Sequence, residues 1–515
     1  MERLGLYSSQ HIFGSVIGVP YSMSRLQELY DQHGTKVELP PYPPFRESPA
    51  VNLSSGDHTP IWTQDDTDSC LSDVPFDTYL GIKLYHTNPI DQINTACKSS
   101  GKRFVDYEFL VHGIAEVTVK GERLTPGIIT QRNADDFQNS KERNCIAQIK
   151  NFGNKARRSE DGSSKWTWVR GSHMPGRRLF ASDSASIVCQ NVIQGEIGNS
   201  GFCSGFASLA AQFPDVLKKA FGTFDRTTGA FSVLLYPEGK ARYLLLDDYV
   251  LCSDGTYASP ALSSLKQYDL WIRFLEKTFV KLQSSYASLD GYYKYNSLYR
   301  HPARAIQLLT GSPIALELRL RVITKEDLFA LHMVDEGIYK KDPRPVATDD
   351  IFATLVATEG KCCRIAHGRK AVDGLFHGLG YSLLWVGKIA GIQLACVRNP
   401  HGVRSYTGEF GRGRYSWTTE DAKTVRSIFT HEYDGKNPPL YLMNLLYRTP
   451  DNGVFLMRFS AFVECFPIVS IVGPLSDKCN AKCVSPMKNC LHRLDNKDIC
   501  RLPEILDAAE YEFTG

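Results

Sequence analysis

Five side chains able to bind a metal gather near the end of the chain: Cys479, Cys483, Cys490, His492 and Cys500. Thiolates and imidazoles are the usual zinc ligands, and four of these would complete a tetrahedral site. The spacing lacks paired short Cys-x-x-Cys knuckles, so a tail with free thiols is the simpler expectation and no metal is assigned. The 14 cysteines are otherwise scattered through 515 residues, which is not a disulfide framework. Most are expected to be buried as small apolar residues. Leu39-Pro40-Pro41-Tyr42-Pro43-Pro44-Phe45 must be extended, because proline offers no amide donor to a helix or a central strand. It reads either as part of a flexible or partner-ordered segment or as a ligand for an aromatic groove. Lys plus Arg is 59 against 56 Asp plus Glu, a net charge of +3, which lacks the basic bias of a dedicated nucleic-acid binder. Charges around Asn154 to Gly162 alternate in sign, as on a solvated loop.

The elements fall into two unlike halves. Phe202, Phe206, Leu209 and Phe213 recur at helical spacing, and Pro214 ends the run. Gly229 to Tyr236 and Arg242 to Leu246 read as strands joined at Pro237-Glu238-Gly239. Trp271, Phe274, Leu275, Thr278, Phe279 and Leu282 mark an amphipathic helix ending near Asp290-Gly291. Beyond a seam at Thr310 to Pro313, the stretches Gly380 to Val386, Ile389 to Val397, Leu440 to Tyr447 and Val454 to Phe459 are strand-like. A cleft between two such lobes is a usual place for a site. Before residue 91 only Ser24 to Gln32 suggests a short helix, and no core-sized apolar pattern is visible. No apolar run is long enough to span a membrane. Met1-Glu2-Arg3-Leu4-Gly5 lacks the apolar core of a secretion signal, so a reducing, cytoplasmic setting is expected.

Six stretches, in order, resemble the calpain family. Gln194-Gly195-Glu196-Ile197-Gly198-Asn199-Ser200-Gly201-Phe202 resembles the nucleophile segment, and Cys97 to Phe109, with Asp106, the opening motif. Leu246-Asp247-Asp248 resembles a strand with paired Asp, and Leu275-Glu276-Lys277 with Tyr286 and Leu289 the long helix. Val397-Arg398-Asn399-Pro400-His401-Gly402 resembles the Asn motif, and Asn452-Gly453-Val454-Phe455 to Phe459 the closing strand. The resemblance spans about Cys97 to Val472. It implies an α+β, two-lobed papain-like core, with a helix-rich first lobe and an antiparallel β-rich second lobe. It divides the chain into an extension at 1–90, lobe one at 91–312 with an insertion about 132–165, lobe two at 313–473, and a Cys-containing tail at 474–515. The implied mechanism is thiolate attack from a helix start, with proton transfer by His, orientation of that His by Asn, and oxyanion stabilisation by Gln.

This chain departs from that machinery. The nucleophile column holds Ser200 and the His column holds Leu379, while Asn399 and the oxyanion-equivalent Gln194 remain. The tryptophans beside the nucleophile and the Asn are Gly201 and His401. A hydroxyl is a weak nucleophile without an adjacent base, and Leu379 accepts no proton. The displaced alternative is Cys203 with His377. Cys203 lies about 4.5 Å along the helix from Ser200, and His377 about 6.6 Å along a strand from Leu379, whereas a working pair needs contact near about 3 Å. Asn399 before Pro400 also suits a turn, and Gln194 can hold a loop.

The family's calcium switch is not expected. Ser405 and Arg412 stand where acidic ligands belong after the Asn motif. Asn191, Asn452 and Val454 also replace acids, and Glu276 alone cannot make a six-oxygen site. The expectation is a calcium-independent pseudoprotease with no cofactor. It would bind protein partners, cytoskeletal ones included, through a retained peptide cleft, the extension or the insertion, and would bind no nucleic acid. The alternative is an active endopeptidase using Cys203 and His377.

Overall fold

The computed structural model describes residues 62–79, 81–106, 108–109, 118–119, 122–123, 166–174, 179–180, 189–194, 199–253, 262–263, 269–283, 302–312, 314–321, 348–368, 373–376, 379–403, 406–411, 415–429, 439, 442, 446, 452–475 and 492–493. The proline run, the 24–32 stretch, the 132–165 insertion, the four tail cysteines, His377, Ser405 and Arg412 lie outside them.

The first lobe is built on an antiparallel sheet in the order β1 (Phe76–Tyr79), β2 (Ile82–Tyr85), β6 (Arg242–Asp247), β5 (Ala230–Leu235). Its short antiparallel pairs include β3 (Trp166–Arg170) with β7 (Tyr249–Ser253), and β4 (Ile193–Gln194) with β8 (Leu262–Ser263). Its helices are α1 (Gln64–Cys70), α2 (Ile90–Ser100), α3 (Ser200–Gln212), α4 (Pro214–Ala220), α5 (Trp271–Gln283) and α6 (Pro302–Thr310). α1 starts in a capping box, in which Thr63 and Asp66 satisfy each other's backbone amides. Phe213 ends α3, and Pro214 opens α4, where its missing amide costs nothing.

α6 ends at Thr310, Gly311 adopts φ 71°, and β9 (Ile314–Arg319) begins the second lobe. The remaining elements are α7 (Thr348–Ala357), β10 (Cys363–His367), β11 (Gly380–Ile389), β12 (Ile392–Arg398), α8 (Glu420–Ser427), β13 (Val454–Arg458), α9 (Phe459–Cys465), β14 (Ile468–Gly473) and β15 (His492–Arg493). They form a seven-stranded sheet in the order β13, β12, β11, β10, β14, β9, β15. It is antiparallel except for the β9–β15 edge pair. The fold is α+β, as expected. Among the described residues no helix is long and apolar enough to cross a membrane.

α3 is the axis of the molecule. Every residue from Ser200 to Ala210 is buried. Its apolar residues Phe202, Phe206 and Leu209 share one core with Trp271, Phe274 and Phe279 of α5 and with Cys363, Leu384 and Trp385 of the second-lobe sheet. That continuity joins the lobes by hydrophobic burial as well as by chain.

Three details differ from expectation. Residues 62–90, assigned to the extension, supply Trp62, Leu71, Val74, Tyr85 and Ile90 to a buried cluster completed by Ile93, Phe104, Ala230 and Leu245. Their apolar positions are too sparse to announce a core, because half of that core comes from elsewhere in the chain. The strand-like stretch given as Gly380 to Val386 runs on to Ile389, and the chain turns at Ala390-Gly391, with φ 51° and 79°. Two positive-φ residues there match the strand twist of a tight hairpin. Leu442 and Leu446, the described residues of the expected 440–447 strand, have helical backbone and are buried.

Candidate functional site

Four-residue spacing puts Ser200, Ser204 and Ser208 on one stripe of α3, and the second lobe docks along it. Ser200 Oγ accepts the Gly380 N–H at 3.0 Å. Ser204 Oγ donates to Gly380 O at 2.7 Å, and Ser382 Oγ donates to Ser204 O at 2.8 Å. Ser208 Oγ accepts the Arg364 N–H at 3.1 Å, and Cys363 Sγ meets Gly205 O at 3.3 Å. The approach is close enough to require glycine at 380, while Gly201 is confined by a neighbour in its own lobe. A Cβ on Gly380 would stand 2.8 Å from Gly201 Cα, and one on Gly201 would stand 2.3 Å from Pro302 Cγ. Pro302, the first residue of α6, therefore fills the space beside the nucleophile column, where the family carries an indole. Ser200 is 1% exposed.

Of the predicted site residues, the structure brings Ser200 against the backbone following Leu379. Leu379 is partly buried and packs on the second-lobe core, and its carbonyl accepts the Gly368 N–H at 2.9 Å. Cys203 is fully buried, with Sγ 3.2 Å from Asn199 Oδ1. Burial, and then the nearby Glu276 carboxylate, push its thiol well above the ordinary cysteine value. A reactive cysteine needs the opposite, an electropositive and accessible setting.

Asn399 is buried, and its Oδ1 accepts the His401 N–H at 2.9 Å, closing an Asx turn over Pro400. Its own N–H reaches Gly453 O at 2.9 Å. The Gln194 N–H donates to Pro400 O at 2.9 Å, so the oxyanion-equivalent segment and the Asn turn hold each other by backbone. Arg398 crosses the same junction, with Nη2 on Val192 O at 2.6 Å and Nε on Asn452 O at 3.0 Å. His401 is buried. Burial pulls its imidazole down to about 4, although a hydrogen bond to the Gln194 backbone favours the charged form. Asn191, in a calcium-ligand column, donates to Asp269 Oδ2 at 2.9 Å, and Asn452 Oδ1 accepts the Val454 N–H at 2.9 Å. Among the described residues no three His, Cys, Asp or Glu side chains group as metal ligands.

The other family-like stretches converge some way from α3's start, in a buried ionic network. Lys277 of α5 pairs with Asp247, which also accepts the N–H of Asp106 at 2.8 Å and of Tyr249 at 2.9 Å. Lys281, one turn on, meets Asp106 at 2.8 Å and Glu108 at 3.0 Å. Arg170 of β3 meets Asp248 at 2.8 Å and the Phe104 carbonyl at 2.7 Å. Burial pushes Asp106 up to about 6 even with Lys281 beside it. Burial also lowers the Lys277 ammonium below its ordinary value, while the two carboxylates around Lys281 raise that one. The opening motif, the paired-Asp strand and the long helix are thus structural partners. The only sequence signal for the contact between the lobes is the four-residue spacing of Ser200, Ser204 and Ser208, which carries no chemistry until the second lobe is in place.

A sequence model of calpain family cysteine proteases matches residues 142–473, most of the chain. Among curated proteins, Calpain-type cysteine protease ADL1 of Oryza sativa subsp. japonica is 24% identical over 264 residues, 49% of this chain and 11% of that protein. Calpain-type cysteine protease DEK1 of Zea mays is 25% identical over 244 residues, 46% of this chain and 10% of that one. Human Calpain-12 is 22% identical over 316 residues, 60% of this chain and 38% of the relative. The chain therefore spans about a tenth of the two plant proteins and well under half of the human one. With the ordered motifs, the two-lobed α+β core and a family match over most of its length, this chain belongs to the calpain family.

Proposed function

We propose that this chain is a calpain-like pseudoprotease that works by binding protein partners, as a cytoplasmic regulator or as part of a cytoskeletal assembly, without a calcium switch. The observation that carries the reading is the environment of Ser200. Its Oγ is withdrawn from solvent and occupied by the Gly380 amide, and the neighbouring column position is Leu379. Acyl transfer needs a nucleophile, a base within hydrogen-bond reach and a reachable carbonyl-binding position. Cys203 supports no substitute, because its thiol is buried and its pKa is raised. The retained Asn399 and Gln194 are explained by the turn and backbone bonds that they make.

The test is to incubate the purified chain with a peptide bearing a thiol-reactive warhead and to map adducts by mass spectrometry, alongside a peptide-cleavage assay. The expected result is no adduct at Cys203 and no cleavage. An adduct at Cys203 that disappears in His377→Ala, with cleavage lost in parallel, would overturn the reading in favour of a rearranged protease. Detergent extraction of cells separates the two binding roles: a resistant pool supports the assembly and full release supports the soluble regulator.

A further inference from the structure

A pocket of about 400 Å³ lies in the first lobe between α1 and β2, a size within the range of small-ligand sites. Its lining follows from local geometry. Gln64, Thr67 and Asp68, three and four residues apart, share one face of α1. Lys83 and Tyr85, two apart, share one face of β2. Phe104, Val105 and Leu245 of β6 supply apolar lining, and Asp106, Glu108 and Lys281 of α5 supply charge. Asp68 is exposed, so the pocket reaches solvent. None of these residues belongs to α3 or to the second lobe, which separates the pocket from Ser200.

Tyr85 is 5% exposed, yet among the described residues no hydrogen bond reaches its hydroxyl. A buried phenol normally finds a partner. Burial pushes this phenol up to about 12. Lys281 works against that rise, and the Glu108, Asp106 and Asp68 carboxylates add to it, which places the oxygen among the charged lining groups.

Donors and acceptors around that oxygen are unequal. Lys281 directs its three protons to Asp106 at 2.8 Å, Glu108 at 3.0 Å and the Leu245 carbonyl at 3.1 Å. Lys83 is paired with Asp68 at 3.0 Å. An incoming anion therefore meets few open donors. The carboxylates keep acceptor capacity. Asp68 bonds Lys83 and Gln64 through Oδ1 alone, both at 3.0 Å, and Glu108 accepts the Lys83 N–H at 3.0 Å besides holding Lys281. Above the Asp106 value of about 6, three carboxylates stand against two ammoniums, one net negative charge. That charge, a phenolic oxygen with open lone pairs and apolar walls suit a cation carried on a hydrocarbon stem.

We propose that this pocket binds a small organic ammonium ion, with its N–H groups on the Tyr85 hydroxyl and the Asp68 and Glu108 carboxylates and its stem against Phe104, Val105 and Leu245. The site does not depend on whether the chain is a protease.

The test titrates the full chain with phenethylamine and with hexylamine, and with phenethyl alcohol and hydrocinnamate as neutral and anionic counterparts. Calorimetry reads the affinity. NMR of ring-labelled tyrosines places the ligand, the Tyr85 signal being the one absent from Tyr85→Phe. The expected result is saturable binding of an amine with a shift of the Tyr85 signal, and binding of the alcohol and the carboxylate weaker by at least about tenfold. Tyr85→Phe keeps the ring and breaks no hydrogen bond among the described residues, and it should weaken amine binding by about tenfold. Asp68→Asn, a change at an exposed position, should weaken it by about threefold, and Lys83→Gln, which removes a competing cation, should tighten it by about the same factor. A pocket that merely collects apolar molecules would take the alcohol as tightly as the amine. That result, wild-type amine affinity in Tyr85→Phe, or no saturable shift of Tyr85 with either amine would overturn the proposal.

Discussion

The buried ionic network of the first lobe and the α3 start contain residues from the same set of family motifs, yet they have met different fates. In the network, the motif residues Asp106, Asp247, Asp248 and Lys277 satisfy one another together with Arg170, which pairs with Asp248. At the α3 start, the residues we propose to stand in the nucleophile and base columns are Ser200 and Leu379, the lobes meet there by backbone contact at Gly380, and Pro302 of the first lobe packs on Gly201. A buried charge cannot be lost singly, because its partner is stranded. A catalytic nucleophile and base can both be lost without cost to the fold if apolar packing or a neutral hydrogen bond takes their place. Under the proposed function, the contrast means that motif retention in this chain follows what folding requires.

The sharpest way to break that contrast is to attack the network. Lys277→Met leaves the Asp247 carboxylate buried with only its two backbone donors. The expected loss is about 3–5 kcal/mol of unfolding free energy, read by urea denaturation. A loss below about 1 kcal/mol would mean that the pair contributes little and that the motif is kept for another reason.

His401 tests the site side through pH. Its folded value of about 4 lies below its ordinary 6.5. The unfolded chain therefore binds the extra proton between those values, and stability present above pH 6.5 is lost as pH falls toward 4. The loss approaches about 3 kcal/mol. Asp106 works in the opposite direction, since a carboxyl raised to about 6 loses stability as pH rises through 3.8 to 6. The readout is consequently the difference between wild type and His401→Gln, which should shrink steadily as pH falls through this window. A constant difference from pH 7 to 4 would show that the ring is not buried neutral.

Much of this was legible in sequence, for identifiable reasons. α3 was read from Phe202, Phe206, Leu209 and Phe213, because a buried helix carries its period locally. The β5–β6 hairpin was read for the same reason, from strand residues flanking Pro237-Glu238-Gly239. The assignment of Ser200, Leu379 and Asn399 to the family's catalytic columns is a proposal that rests on the ordered motifs. What escaped has its partners far away in the chain. Ile82 and Leu84 look isolated until Leu244 and Leu246 stand beside them. Arg103 and Arg226 meet 123 residues apart, and neither carries a motif. The close contact of Gly380 with Gly201 depends on two glycines, whose small size has meaning only once the chain has folded.

That contact gives a smaller expected effect. Gly380→Ala would place a methyl 2.8 Å from the Gly201 Cα, where the obstacle is backbone and cannot rotate away. The expected cost is about 2 kcal/mol, as for overpacking a tight core, measured as a lowered urea midpoint with unchanged slope. A neutral result would show that the lobes separate easily at this point, and would reopen access to Ser200.

The smallest effect separates a latch from a nucleophile. Ser200→Ala removes the acceptor for the Gly380 N–H inside a buried contact and leaves that amide without its partner. The expected loss is about 1 kcal/mol, less than at Gly380 because no atom has to move. If Ser200 only fastens the lobes, stability falls by this amount while any trace hydrolysis in the preparation stays at its wild-type level, since Ser200 takes no part in it. If Ser200 were a working nucleophile, hydrolysis would vanish in the alanine variant. The two quantities are independent, so measuring both on the same sample decides between the roles.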